Sequence, residues 1–91
     1  MWTLTQDHTS EPPHSFEIGK ICSRSFSEEK SHLLVHRFRL LDDDGRLQGV
    51  GFSDSCDDQK AFGPLDDFGE GAWGSTAIEF WKEDRGVWQM L

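Results

Sequence analysis

The stretch from Leu33 to Phe52 constrains the fold more than any other part of this chain. Leu33-Leu34-Val35-His36-Arg37-Phe38-Arg39-Leu40-Leu41 alternates apolar and polar residues, and Arg46-Leu47-Gln48-Gly49-Val50-Gly51-Phe52 resumes the alternation after Asp42-Asp43-Asp44-Gly45. A period of two puts successive side chains on opposite faces of a strand, and Asp-Gly between two such runs signals a hairpin. Two registers compete. A two-residue turn at Asp44-Gly45 sets Arg39 opposite Val50 and Arg37 opposite Phe52, mixing charge with apolar side chains. A type I turn with Gly45 in a left-handed bulge position sets Leu40 opposite Gln48, Phe38 opposite Val50 and His36 opposite Phe52. The second register is expected, because it gathers Leu34, Phe38, Leu40, Val50 and Phe52 on one face and a one-residue slip would expose them. The alternative is a helix in 28–41, with Ser25 and Glu28 as a capping box.

Thr76 to Lys82 and Val87 to Leu91 predict a second hairpin around Glu83-Asp84-Arg85-Gly86. Gly86 in the role of Gly45 puts Ile78, Phe80, Trp88 and Met90 on one face and Trp81 on the other. A helix in 76–85, capped by Ser75, is the rival. At the start of the chain, Trp2, Leu4 and Gln6 alternate with Thr3 and Thr5, predicting a short edge strand within residues 1–15. A flexible segment follows, in which Pro12-Pro13 cannot continue a ladder. Phe16, Ile18 and Ile21 suggest a strand interrupted at Gly19. Residues 53–74 read as one long acidic loop, and loops of that length in a small domain are usually functional.

Ninety-one residues make a single domain, 1–91. The apolar fraction is only 35%, but seven Phe and four Trp compensate, since each large ring buries on the order of 150–250 Å². The expected fold is all-β or β-dominated, a small antiparallel curled sheet or barrel of about five or six strands. Cys22 and Cys56 are too few for a disulfide framework, so two free thiols in a reducing cytoplasm are expected, with one long-range bridge as the alternative. Met1-Trp2-Thr3-Leu4 has neither a basic start nor an apolar run, so no secretory signal is expected, and no stretch reaches the ~18–20 apolar residues of a membrane span.

Charge is distributed unevenly. Nine acidic residues stand between Asp42 and Glu70 against two bases, Arg46 and Lys60, while residues 1–41 carry five acids and five bases. The net charge of −8 therefore belongs almost wholly to one region. This composition excludes nucleic acid as a direct ligand and anionic membrane surfaces, both of which need basic footprints. It leaves basic proteins, cations or simple solubility.

Motifs for chemistry are sparse. Asp42-Asp43-Asp44-Gly45 lacks the acidic spacing of a calcium loop, with Arg46 where a ligand should be, and reads as a turn whose Asp side chains bond backbone amides. His32 and His36 lie too far apart on a strand to share a metal. No histidine is placed beside either cysteine, no nucleophile motif occurs, and Gly69-Glu70-Gly71-Ala72-Trp73-Gly74 lacks the lysine of a phosphate cradle. No catalytic residue, metal ligand or cofactor is expected.

Three functions follow. The leading one is a non-enzymatic interaction module docking a basic protein surface through Asp57, Asp58, Asp66, Asp67 and Glu70, with Phe62, Phe68 and Trp73 as anchors. Mimicry of nucleic-acid charge is a special case. The second is a weak divalent-cation site in the same acidic segment. The third is a ligand-binding protein or enzyme with a pocket inside the curled sheet near His36, Arg37 and Arg39. Trp81, alone on its face, calls for a rolled sheet or a homodimer to cover it.

Overall fold

The computed structural model describes residues 1–91. It holds seven strands, β1 (Trp2–Asp7), β2 (His14–Ser15), β3 (Ile21–Cys22), β4 (His36–Leu41), β5 (Leu47–Ser53), β6 (Ala77–Lys82) and β7 (Val87–Met90). All pair antiparallel in one unclosed sheet of order β2-β1-β5-β4-β6-β7, with β3 also pairing β1. The expected strand-dominated domain is therefore formed, as an open sheet rather than a barrel. The stretches with a helical rival, 28–41 and 76–85, form strands at His36–Leu41 and Ala77–Lys82; the one helical part of either is a short 3₁₀ segment, Glu28–Leu33.

β1 has β5 on one side and β2 and β3 on the other, so it lies inside the sheet instead of at its edge. The reason is Thr3, whose hydroxyl accepts from the Gly19 amide and donates to the Ile21 carbonyl, drawing the 16–22 segment against β1.

The first hairpin corrects the expected register. At its turn the expectation holds. Gly45 sits at φ 76°, its amide donates to the Asp42 carbonyl, and Leu41 faces Leu47. The Asp42 carboxylate accepts from the amides of Asp44 and Arg46, each at 2.9 Å, as the turn reading required. One residue on, Gln48 is inserted as a bulge, and the pairing becomes Leu40 with Gly49, Arg39 with Val50, Phe38 with Gly51 and Arg37 with Phe52. Phe38 and Leu40 thus lie over Gly51 and Gly49 rather than over Val50 and Gln48. Space explains this: a Cβ on Gly51 would stand 2.1 Å from the Thr3 carbonyl oxygen and 2.8 Å from the Phe38 ring.

The second hairpin also departs by one residue. Its loop holds four residues, closed by the Gly86 amide donating to the Lys82 carbonyl at 2.7 Å, with Gly86 at φ 64°. Trp81 consequently faces Trp88, and Glu79 faces Met90. Trp88 and Met90 therefore share the face of Trp81, whereas Ile78 and Phe80 point to the other.

The sheet's two faces differ in kind. One carries the interior: Trp2, Leu4, Phe38, Leu40, Ile78 and Phe80, joined by Ala61. Burying each such large apolar side chain contributes about 1.5–3 kcal/mol. The other carries Arg37, Arg39, Phe52, Glu79, Trp81 and Trp88. There Trp81 and Trp88 meet edge to face at 5.5 Å, and Arg39 lies 4.4 Å from the Trp88 ring centre while ion-pairing Glu79. Trp81 is thus covered within the chain by its cross-strand partner.

Candidate functional site

The sequence predicts a long loop over residues 53–74 with a single helical turn at Leu65-Asp66-Asp67-Phe68; the structure has that turn and extends it into a helical cap, Gln59–Trp73, over the interior face. Asp58 begins it: its carboxylate accepts from the Lys60 amide at 2.9 Å and caps a 3₁₀ turn, Gln59–Phe62. Pro64 follows at φ −58°, where a helix start needs no amide donor. A π-type turn, Leu65–Gly69, then runs into α1 (Glu70–Trp73), which Gly74 ends at φ 67°. Phe62, Leu65, Phe68 and Trp73 recur every three to five residues along it, and this apolar stripe faces the interior.

Close approach fixes the cap in place. Gly69 lies so near Leu40 that a Cβ would come within 2.8 Å of its side chain, and the Trp73 ring occupies the space above Gly49. Gln48, the bulge residue, completes the attachment. Its side-chain amide donates to the Trp73 carbonyl at 2.9 Å, and its side-chain oxygen accepts from the Ser75 hydroxyl. Sequence reasoning missed Gln48 and Ser75. Their one signal was a polar Gln within an apolar alternation, which is also what a solvent-facing strand position looks like.

The expected site residues divide by chemistry. Asp57, Asp58, Asp66, Asp67 and Glu70 are all exposed. None lies within ion-pair distance of a base; the two ion pairs are the N-terminal amine with Asp54 and Arg39 with Glu79. Phe62, Phe68 and Trp73 are half-buried and pack against the interior. Phe68 links the other rings, 6.2 Å from Trp2 and 5.0 Å from Trp73. These rings hold the cap down and show only part of their surface.

Beside the cap, Asp54, Asp66 and Asp67 line an open cleft of about 690 Å³ together with Trp2, Lys30 and Lys60. The Trp2 indole nitrogen is buried beside Gly63 and has no acceptor. No group of three or more His, Cys, Asp or Glu side chains converges as a metal-ligand set. Cys22 and Cys56 are both free.

The sheet encloses no pocket. Phe38, Leu40, Ile78 and Phe80 fill the space beneath the cap. His36 and Arg37 line a surface groove of about 570 Å³ with Phe52, Cys56, Trp81 and Lys82, and Arg39 borders a separate hollow beside Glu79 and Met90. One carboxyl is displaced from its ordinary value. Partial burial pushes Asp7 up, but hydrogen bonds from the Thr9 hydroxyl and amide, with His14 and His8 nearby, together hold it below that value. No helix is long and apolar enough to cross a membrane. Compared with family models, curated proteins and solved structures, the chain matches none.

Proposed function

We propose that this chain is a non-catalytic interaction module whose acidic cap docks a basic surface on a partner protein. One observation carries the reading: Asp57, Asp58, Asp66, Asp67 and Glu70 stand exposed on one short, anchored segment with no cation paired to any of them. Neighbouring carboxylates at ~4 Å repel by about 1 kcal/mol even in water, and a basic partner relieves that repulsion. The outward edges of Phe62, Phe68 and Trp73 supply apolar contact beside the charge. The rings serve as support first and as contact surface second. The two free thiols suit a reducing, cytoplasmic setting.

The test compares the wild-type chain with Asp66→Asn/Asp67→Asn, binding lysine- and arginine-rich proteins at about 50 and about 300 mM salt. Binding should weaken at least tenfold across that range, and the double variant should lose affinity at the lower salt. Affinity indifferent to both changes would end the proposal.

A further inference from the structure

The sheet's two edges are finished differently. Along β1 the outer edge is covered by β2 and β3, each two residues long, and by the segment between them. Short edge strands are one of the ways proteins prevent sheets from joining. β7 has no such protection. Its sequence, Val87-Trp88-Gln89-Met90, holds no charge, no proline and no bulge. Val87 is 46% exposed and Met90 62%, two of the five large apolar side chains most open to solvent.

The polarity of that edge can be read from the ladder. The Leu91 amide donates to the Ile78 carbonyl, so Leu91, Gln89 and Val87 direct their backbone groups toward β6. In an antiparallel pair these directions alternate. Trp88 and Met90 therefore point their amides and carbonyls away from the sheet.

We propose that β7 pairs antiparallel with β7 of a second copy of this chain, across a two-fold axis at Gln89. In that register Trp88 of each copy exchanges two backbone hydrogen bonds with Met90 of the other, and all outward groups of the strand are satisfied. The side chains match themselves as well. Trp88 and Met90 share one face, so each ring meets the other copy's thioether, a contact of about 5 Å between sulfur and ring. On the opposite face Val87 lies beside Leu91 of the second copy, with the two Gln89 side chains between.

Charge favours this occupant over a sheet-face dimer. The acidic cap lies over β5 and β4, against Gly49 and Leu40, so joining at β7 keeps the two caps apart. A four-residue edge buries far less than the ~1,200 Å² of a standard interface. The association is accordingly weak and concentration-dependent.

Sedimentation of the intact chain from micromolar to millimolar concentration tests it, with Met90→Lys as the edge-blocking variant. Met90 is exposed, and its backbone makes no bond to β6, so the substitution leaves the fold intact, which far-ultraviolet dichroism verifies. Wild-type mass should rise from 10.4 kDa toward twice that value, and Met90→Lys should dissociate at least tenfold more readily. Register is tested separately in a Cys22→Ser/Cys56→Ser background. There Gln89→Cys should form an intermolecular disulfide, since non-hydrogen-bonded partners stand about 4.5 Å apart at Cα, within the range a disulfide spans. Asp84→Cys, on the turn, should associate like the wild type but form no such disulfide. The proposal is overturned by a mass that stays at 10.4 kDa, by a dimer that Met90→Lys does not weaken, or by Asp84→Cys cross-linking as fast as Gln89→Cys. Binding of an unrelated extended peptide along β7 without self-association would also overturn it.

Discussion

Gln48 fastens the end of β1 and the end of the cap to its own strand. It bulges out of β5, its backbone carbonyl accepts from the His8 amide, and its side chain bonds Trp73 and Ser75. Gln48→Ala leaves the Trp73 carbonyl and the Ser75 hydroxyl without their side-chain partner, so it should cost about 1–3 kcal/mol. Denaturant unfolding measures this, and an unchanged midpoint would mean water replaces Gln48 freely. Asp7 gives a pH signature. A carboxyl held below its ordinary value contributes stability above the unfolded pKa of about 3.9, and that part is lost as pH falls through the lower folded value. Asp7→Asn should therefore melt below wild type at neutral pH, with the gap closing in acid. Melting curves from about pH 7 to pH 2 would show the gap, and a constant difference would remove Asp7 from the acid response.

At the scale of elements, packing above the strands selects the pairing. Gly51→Ala places a methyl against the Thr3 carbonyl and the Phe38 ring, and should destabilise by about 1–3 kcal/mol. Thermal unfolding checks this; a neutral result would mean that β1 and β5 separate easily. Both hairpins were legible in the sequence down to the glycine of each turn, because Asp-Gly and Arg-Gly need a left-handed residue there whatever surrounds them. Neither register was. The first is shifted by Gln48, whose reason for bulging lies in Trp73 and Ser75, some 25 and 27 residues away. The second is shifted by a loop one residue longer, which brings Trp88 across from Trp81. Burial alone argued for Val50 beneath Phe38, but the Thr3 carbonyl and the Phe38 ring crowd that position, Trp73 of the cap crowds the one opposite Leu40, and glycines stand at both. The acidic residues of the candidate site were legible as a block of like charge. Their neighbours Phe62, Phe68 and Trp73 were visible too, as large rings that fold back onto the sheet or meet a partner, and the fold packs all three against the interior.

Over the whole molecule, charge and hydrophobic burial lie back to back: the cap that seals the interior face also carries much of the negative field. Crowded, unpaired carboxylates oppose folding, and mobile ions screen them. Raising sodium chloride from about 10 to about 150 mM should therefore raise the melting temperature, and a fall would indicate that the two ion pairs outweigh the repulsion. The anchoring of this short segment has one further consequence. Phe38, Leu40 and Phe80 have it as a roof, so a single protease cut near Gly63 would expose the packed interior to water instead of trimming a surface. Slow backbone amide exchange in β4 and β6 should then vanish together with that of Phe68 and Gly69, as one cooperative opening.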